Sequence, residues 1–209
     1  MTDQKRNAGN LKLLGGRRCL DFVNTLYWRG TETPVEFLNT YADLVTWSRH
    51  VGICTPAEVR RLSGMAREGQ AEARRVCKEA IDLRETIFRI FAAISQKAAP
   101  APKDLTGFNN YLSASMQSSQ IIRTKDGYIW DTSGDRARLD WVLNPVIRSA
   151  ADLLVSDDIK NIKACDDPAC GWLFLDTSRN KRRRWCDMQD CGNRAKASRF
   201  YKKKQTRST

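Results

Sequence analysis

The chain has a single histidine, His50, among 209 residues. That scarcity excludes zinc patterns built on two histidines and leaves a histidine-centred triad without a second candidate. Long apolar runs are missing too: none approaches the ~20 residues a membrane helix needs. The first ten residues, MTDQKRNAGN, have neither the apolar stretch nor the small-residue cleavage site of a secretory signal. A cytoplasmic protein without a membrane partner is expected. No P-loop or Gly-rich nucleotide fingerprint follows a candidate strand, and no internal repeat is visible. Acidic residues are the minority, 24 against 36 Lys and Arg, for a net charge of +12.

What is present is unevenly placed. From residue 160 onward fourteen Lys and Arg stand against five Asp, so the first 159 residues carry only +3 of the excess. Such a cluster is the footprint expected for a polyanion, nucleic acid foremost; a solvated tail is the bland alternative. The seven cysteines are odd in number and four of them cluster, which argues against a disulfide framework. Cys19, Cys54 and Cys77 stand singly among apolar residues and read as small buried hydrophobes rather than nucleophiles.

Hydrophobic content of 41% and charged content of 29% suit a folded main domain with a small appended module. Residues 1–158 read as the main domain and 159–209 as the module. Cys19, Phe22, Val23 and Leu26 predict a helix over about Arg18–Trp28, and Thr33-Pro34 with Glu36 predicts a second running to His50. Thr55-Pro56-Ala57-Glu58 opens a third, and apolar residues from Ala73 to Ile94 hold helical spacing for about six turns. Lys78, Glu79, Arg84 and Glu85 fall on its opposite face, read as solvated. A weaker helix spans Asp104–Met116, Asp126-Gly127 marks a hairpin between Gln120–Arg123 and Tyr128–Trp130, and a last helix runs from Leu139 to Val155 with Pro145 as a kink. Asp21, Asn24, Thr25, Trp47 and Arg84 are polar or aromatic residues within apolar helices. They are candidates to line a small-molecule effector pocket, although short polar side chains also satisfy local backbone groups.

Cys165 and Cys170 enclose four residues, as do Cys186 and Cys191. Two close pairs can place four thiolates around one tetrahedral Zn²⁺, a closed structural site without a coordination position for catalysis. Pro168-Ala169-Cys170-Gly171 reads as a knuckle and Trp172–Leu175 as a strand. Lys181–Cys186 is expected as the returning strand, and Cys191 as lying at a helix start, where the dipole favours a thiolate. Knuckle, hairpin and helix make a treble clef. On the helix, Ala197, Phe200 and Tyr201 share an arc expected to pack, opposite a basic face. Arg179, Lys181, Arg182, Arg183, Arg184, Arg194, Lys196, Arg199 and Lys203 are the candidate nucleic-acid contacts.

Cys191-Gly192-Asn193-Arg194-Ala195-Lys196, preceded by Phe174–Asn180 and Arg184-Trp185-Cys186, resembles the bacterial CGNR zinc-finger family. Gly15-Gly16, Leu20–Thr25 and Trp47 resemble the ABATE domain that accompanies it. The resemblance implies a stress-related transcription regulator of α+β class, with a DNA-binding treble clef behind a mainly helical regulatory domain. The reading is a zinc-dependent regulator of double-stranded DNA, not an enzyme, with one structural zinc and an oligomeric state left open, homodimer included. An RNA-binding or protein-interaction module is the alternative.

Overall fold

The computed structural model describes residues 6–117, 119–131 and 137–205, with side chains described as far as residue 200. Among them are seven α-helices and three two-stranded antiparallel sheets, an α+β architecture dominated by helices. None of the helices is long and apolar enough to cross a membrane.

Helix α1 (Arg18–Val23) stops well short of Trp28. Asn24 ends it, because its side-chain amide is drawn to the backbone of Leu173, 149 residues away: Nδ2 donates to the carbonyl at 2.9 Å and Oδ1 accepts from the amide at 3.0 Å. Strand β1 (Leu26–Tyr27) then pairs with β2 (Val35–Glu36). Thr33-Pro34 therefore opens no helix. Helix α2 (Tyr41–His50) starts at Thr40, in a reciprocal capping box with Asp43. It ends at His50 as expected, with the ring Nε2 2.7 Å from the Leu11 carbonyl oxygen.

Helix α3 (Pro56–Glu68) opens on the Thr55–Glu58 capping box that the sequence predicts. The 26-residue α4 (Gln70–Ser95) is the central element and buries Val76, Ala80, Leu83, Ile87 and Phe91 along one stripe. Arg84 is not on the solvated face: it is 2% exposed. Glu36, which had suggested a helix start, instead receives Arg84 through both carboxylate oxygens, at 2.6 and 2.7 Å. Helix α5 (Pro102–Gln117) and the hairpin of β3 (Gln120–Thr124) and β4 (Gly127–Asp131) follow expectation; Gly127, at φ +127°, takes a turn conformation that side chains resist. A 3₁₀ turn (Leu139–Leu143) then leads into α6 (Asn144–Leu154). Pro145 lies in the first turn of α6, where a missing N–H costs nothing, and does not kink it.

The C-terminal segment joins the same core. Strand β5 (Ile162–Ala164) pairs with β6 (Leu173–Leu175), and all three residues of β6 are buried in one apolar cluster with Phe22, Trp47 and Phe91. The expected hairpin between Trp172–Leu175 and Lys181–Cys186 is not formed. Residues 181–185 are irregular; the Arg184 carbonyl accepts from the Asp166 amide at 2.9 Å, and the Lys181 and Arg183 carbonyls accept from the Lys163 ammonium of β5. Helix α7 (Asn193–Gln205) follows a π-helical turn (Met188–Gly192).

Candidate metal centre and basic surface

The backbone between β5 and α7 brings four cysteines to one point. Cys165 follows β5, Cys170 closes a turn on Asp167, Cys186 ends the irregular basic segment, and Cys191 lies in the π-helical turn at the N-terminal end of α7. Their sulfurs all lie within 4.8 Å of one another, with Cys170–Cys186 at 3.6 Å and Cys186–Cys191 at 3.5 Å. Zinc–thiolate bonds of about 2.3 Å in a tetrahedron require sulfurs about 3.8 Å apart, so this set fits the ion. All four are buried. Hydrogen bonding from Cys170 and then Cys186 lowers the Cys165 pKa, whereas hydrogen bonding with Cys165 raises Cys186 and Cys191. The group shares protons, and four simultaneous thiolates need a dication among them. The site holds one structural zinc, closed by four protein ligands.

The surroundings complete it. Arg194 donates through Nη2 to Cys191 Sγ at 3.0 Å and through Nε to Asp167 Oδ2 at 2.8 Å, while its guanidinium lies 4.5 Å from the centre of the Trp28 ring. Arg194, a candidate nucleic-acid contact, thus supports a metal ligand, the usual task of an outer-shell donor. Gly171 turns at φ +68°, as the knuckle requires. Gly30 was not singled out in the sequence: a Cβ there would lie 1.8 Å from the Pro168 carbonyl oxygen, so the loop after β1 seats directly on the knuckle. Lys12 was missed as well. Its ammonium binds Asp187 at 2.6 Å and Asp190 at 2.9 Å, strapping the N-terminal segment to the turn that carries Cys191. Neither has a local motif; only the tertiary fold reveals them.

The arginine-rich segment is organised by Asp176, which is fully buried. Its carboxylate accepts from Lys163 Nζ at 2.7 Å, Ser178 N at 3.0 Å, Ser178 Oγ at 2.5 Å and Arg183 N at 3.0 Å. Burial alone would raise its pKa; Lys163 and these hydrogen bonds outweigh it and hold the group well below the usual carboxylate range. Arg183 also turns inward, over the Phe174 ring at 4.4 Å and onto the Trp185 and Cys186 carbonyls. Arg179, Arg182, Lys196 and Arg199 are exposed, as is Arg184, which pairs with Asp166 at 2.5 Å, whereas the Lys181 ammonium turns back to donate to the Asp176 carbonyl at 2.8 Å. Arg184 and Arg199 lie 5.1 and 5.9 Å from the Trp185 ring centre, which joins the loop and helix cations into one surface. The side chain of Lys203 lies outside the described residues. Of the α7 arc expected to pack, Ala197 is exposed and Phe200 is 67% exposed, and the side chain of Tyr201 lies outside the described residues.

The five candidate effector contacts are tied into the fold. Asn24 clamps Leu173, Thr25 Oγ1 donates to the Phe22 carbonyl and accepts from Arg84, and Trp47 packs on Phe22 with ring centres 5.0 Å apart. Asp21 accepts from the Gly15 amide at 2.8 Å. Burial pushes its pKa up to about 6, against the pull of that hydrogen bond and of His50. A carboxyl raised in the folded state favours folding below its ordinary pKa of 3.8, and the benefit is lost as pH rises through about 6. Asp21→Asn keeps an acceptor for Gly15 without the charge. Relative to the native chain it should gain about 1–3 kcal/mol between about pH 4 and pH 7, read by urea unfolding across that range. Parallel pH profiles for the two chains would refute the assignment.

Two family models match the chain. The ABATE family model, described as "Putative stress-induced transcription regulator", matches residues 16–157, and the CGNR zinc finger matches residues 161–204. None of the curated proteins compared matches the chain. With about two thirds of its residues under the first model and the four-cysteine centre under the second, the chain belongs to the ABATE family and carries a CGNR zinc finger.

Proposed function

We propose that the protein is a zinc-dependent regulator that binds double-stranded DNA through the finger and has no catalytic role. The observation that carries this reading is the basic surface around Trp185, where loop and helix cations meet on a base fixed by zinc and Asp176. On this reading Arg182, Arg184, Lys196 and Arg199 neutralise phosphates. Arg179, exposed beyond the Asp176 turn, is assigned to a base edge, because a guanidinium suits guanine. The zinc is structural: it holds the surface together and takes part in no reaction.

Binding to duplex DNA should weaken linearly in a log–log plot against salt. Each of Arg182→Gln, Lys196→Gln and Arg199→Gln should reduce the slope by about one unit without changing sequence preference. Fluorescence anisotropy with the zinc-loaded full chain measures both. Tighter binding to structured RNA in competition would move the reading to RNA, and no salt-sensitive binding to either nucleic acid would remove it.

A further inference from the structure

The helical body carries a second basic feature, far in sequence from the finger. Val59, Ser63 and Ala66 on α3 and Ala73, Cys77 and Ile81 on α4 recur at helical spacing. Together with Tyr41 and Val45 of α2 they line an open groove of about 1070 Å³. Arg60 and Arg67 stand along the α3 side and Arg74 and Lys78 along the α4 side, all four exposed, and no acidic residue lines the groove. Several other arginines of this body are paired: Arg75 with Glu72 and Glu79, Arg84 with Glu36, Arg89 with Asp104. Among the described residues no acidic side chain pairs with any of the four groove cations. Two rows of unneutralised charge thus flank an apolar floor.

We propose that this groove docks an acidic amphipathic helix of a partner protein. The floor is mainly apolar, which suits a hydrophobic seam and wastes the contacts of a phosphodiester backbone. The rims are of one sign on a chain of net charge +12, so a second copy would meet its own repulsion. From Gln70 to Ile81 the groove runs along about three helical turns, roughly 16 Å. That length takes apolar anchors at i, i+3 or i+4, and i+7, with glutamate or aspartate on both flanks facing the cations. This surface is independent of the DNA reading.

The test uses the full zinc-loaded chain and a labelled synthetic peptide of about 16 residues, with a leucine seam at helical spacing and glutamates on both flanks. Its control is an isomer of the same composition with the seam dispersed. The seamed peptide should bind at least about tenfold more tightly than the isomer, and Arg60→Glu/Arg74→Glu should weaken it by at least about tenfold, with melting temperature and DNA binding unchanged. Ser63→Phe, which fills the groove and keeps all four cations, should weaken it as well. Equal binding of the two peptides would overturn the proposal in favour of charge alone. A loss of DNA affinity in Arg60→Glu/Arg74→Glu would make the groove a nucleic-acid surface. A native dimer dissolved by that variant would make it a self-interface. Either result overturns the assignment.

Discussion

Chelating the zinc is expected to melt the helical body together with the finger, in one transition. In an isolated finger metal binding is folding, because a core of a few residues cannot hold four thiols together. Here the finger's strand is also a wall of the main core. Leu173, Phe174 and Leu175 are buried against the helices, Leu175 donates to the Gly15 carbonyl at 2.8 Å, and Trp172 donates from Nε1 to the Leu26 carbonyl at 3.2 Å. Burying three such side chains is worth about 5–8 kcal/mol, comparable with the whole stability of an ordinary domain, about 5–15 kcal/mol. Losing the metal releases the strand and removes most of that margin. The far-UV helical signal should melt well over 10 °C lower after chelation, and Cys170→Ser should behave the same way. If zinc is released, as read by a colorimetric indicator, while the helices melt at an unchanged temperature, the finger and body are energetically separate and this account is wrong.

Asp176→Ala should be the most damaging single substitution that touches neither a metal ligand nor an apolar side chain. It leaves the Lys163 ammonium and the Arg183 and Ser178 amides facing a void, and removing one partner of a buried pair costs about 3–5 kcal/mol. Lys163 also donates to the Lys181 and Arg183 carbonyls, so the loop that presents the basic surface loosens with it. Because the folded-state pKa of Asp176 is depressed, its contribution is fully present above the ordinary value of 3.8 and disappears as pH falls below it. Asp176→Asn keeps acceptors without the charge and should lose less. DNA affinity at neutral pH should fall with Asp176→Ala although the residue touches no solvent. Unchanged stability in urea would show that the carboxylate organises nothing.

What the sequence revealed was what local spacing can carry. The cysteine pairs, the Thr-Pro-Ala-Glu cap of α3, the apolar period of α4 and the Asp-Gly hairpin are decided within a few residues. The misreadings have a common cause in long-range partners. Glu36 lies three residues after Thr33 and so imitates a capping box, yet its carboxylate belongs to Arg84, 48 residues on. Thr40 and Asp43 held the true signal, overshadowed by the nearby proline. Asn24 broke a periodic helix to reach Leu173. Arg84 was assigned to solvent because periodicity treats a charge as outward, and Phe200 to an interior because periodicity cannot say whether an arc has a body to meet. Charge alone does not reveal that Arg183 and Arg194 also satisfy carbonyls and a thiolate, because such a guanidinium looks the same in sequence as one that only waits for a phosphate.

The strap from Lys12 to Asp187 and Asp190 spans 175 and 178 residues, and the Asn24 clamp spans 149. Closing such loops carries a large entropic penalty before any contact rewards it, so this topology folds slowly. In a chain made from its N-terminal end, Gly15, Asn24 and Gly30 wait for nearly the whole remainder before their partners exist. Docking of the finger on the helical body is therefore a late event, whereas the four cysteines, all between residues 165 and 191, close only short loops when they gather around the metal.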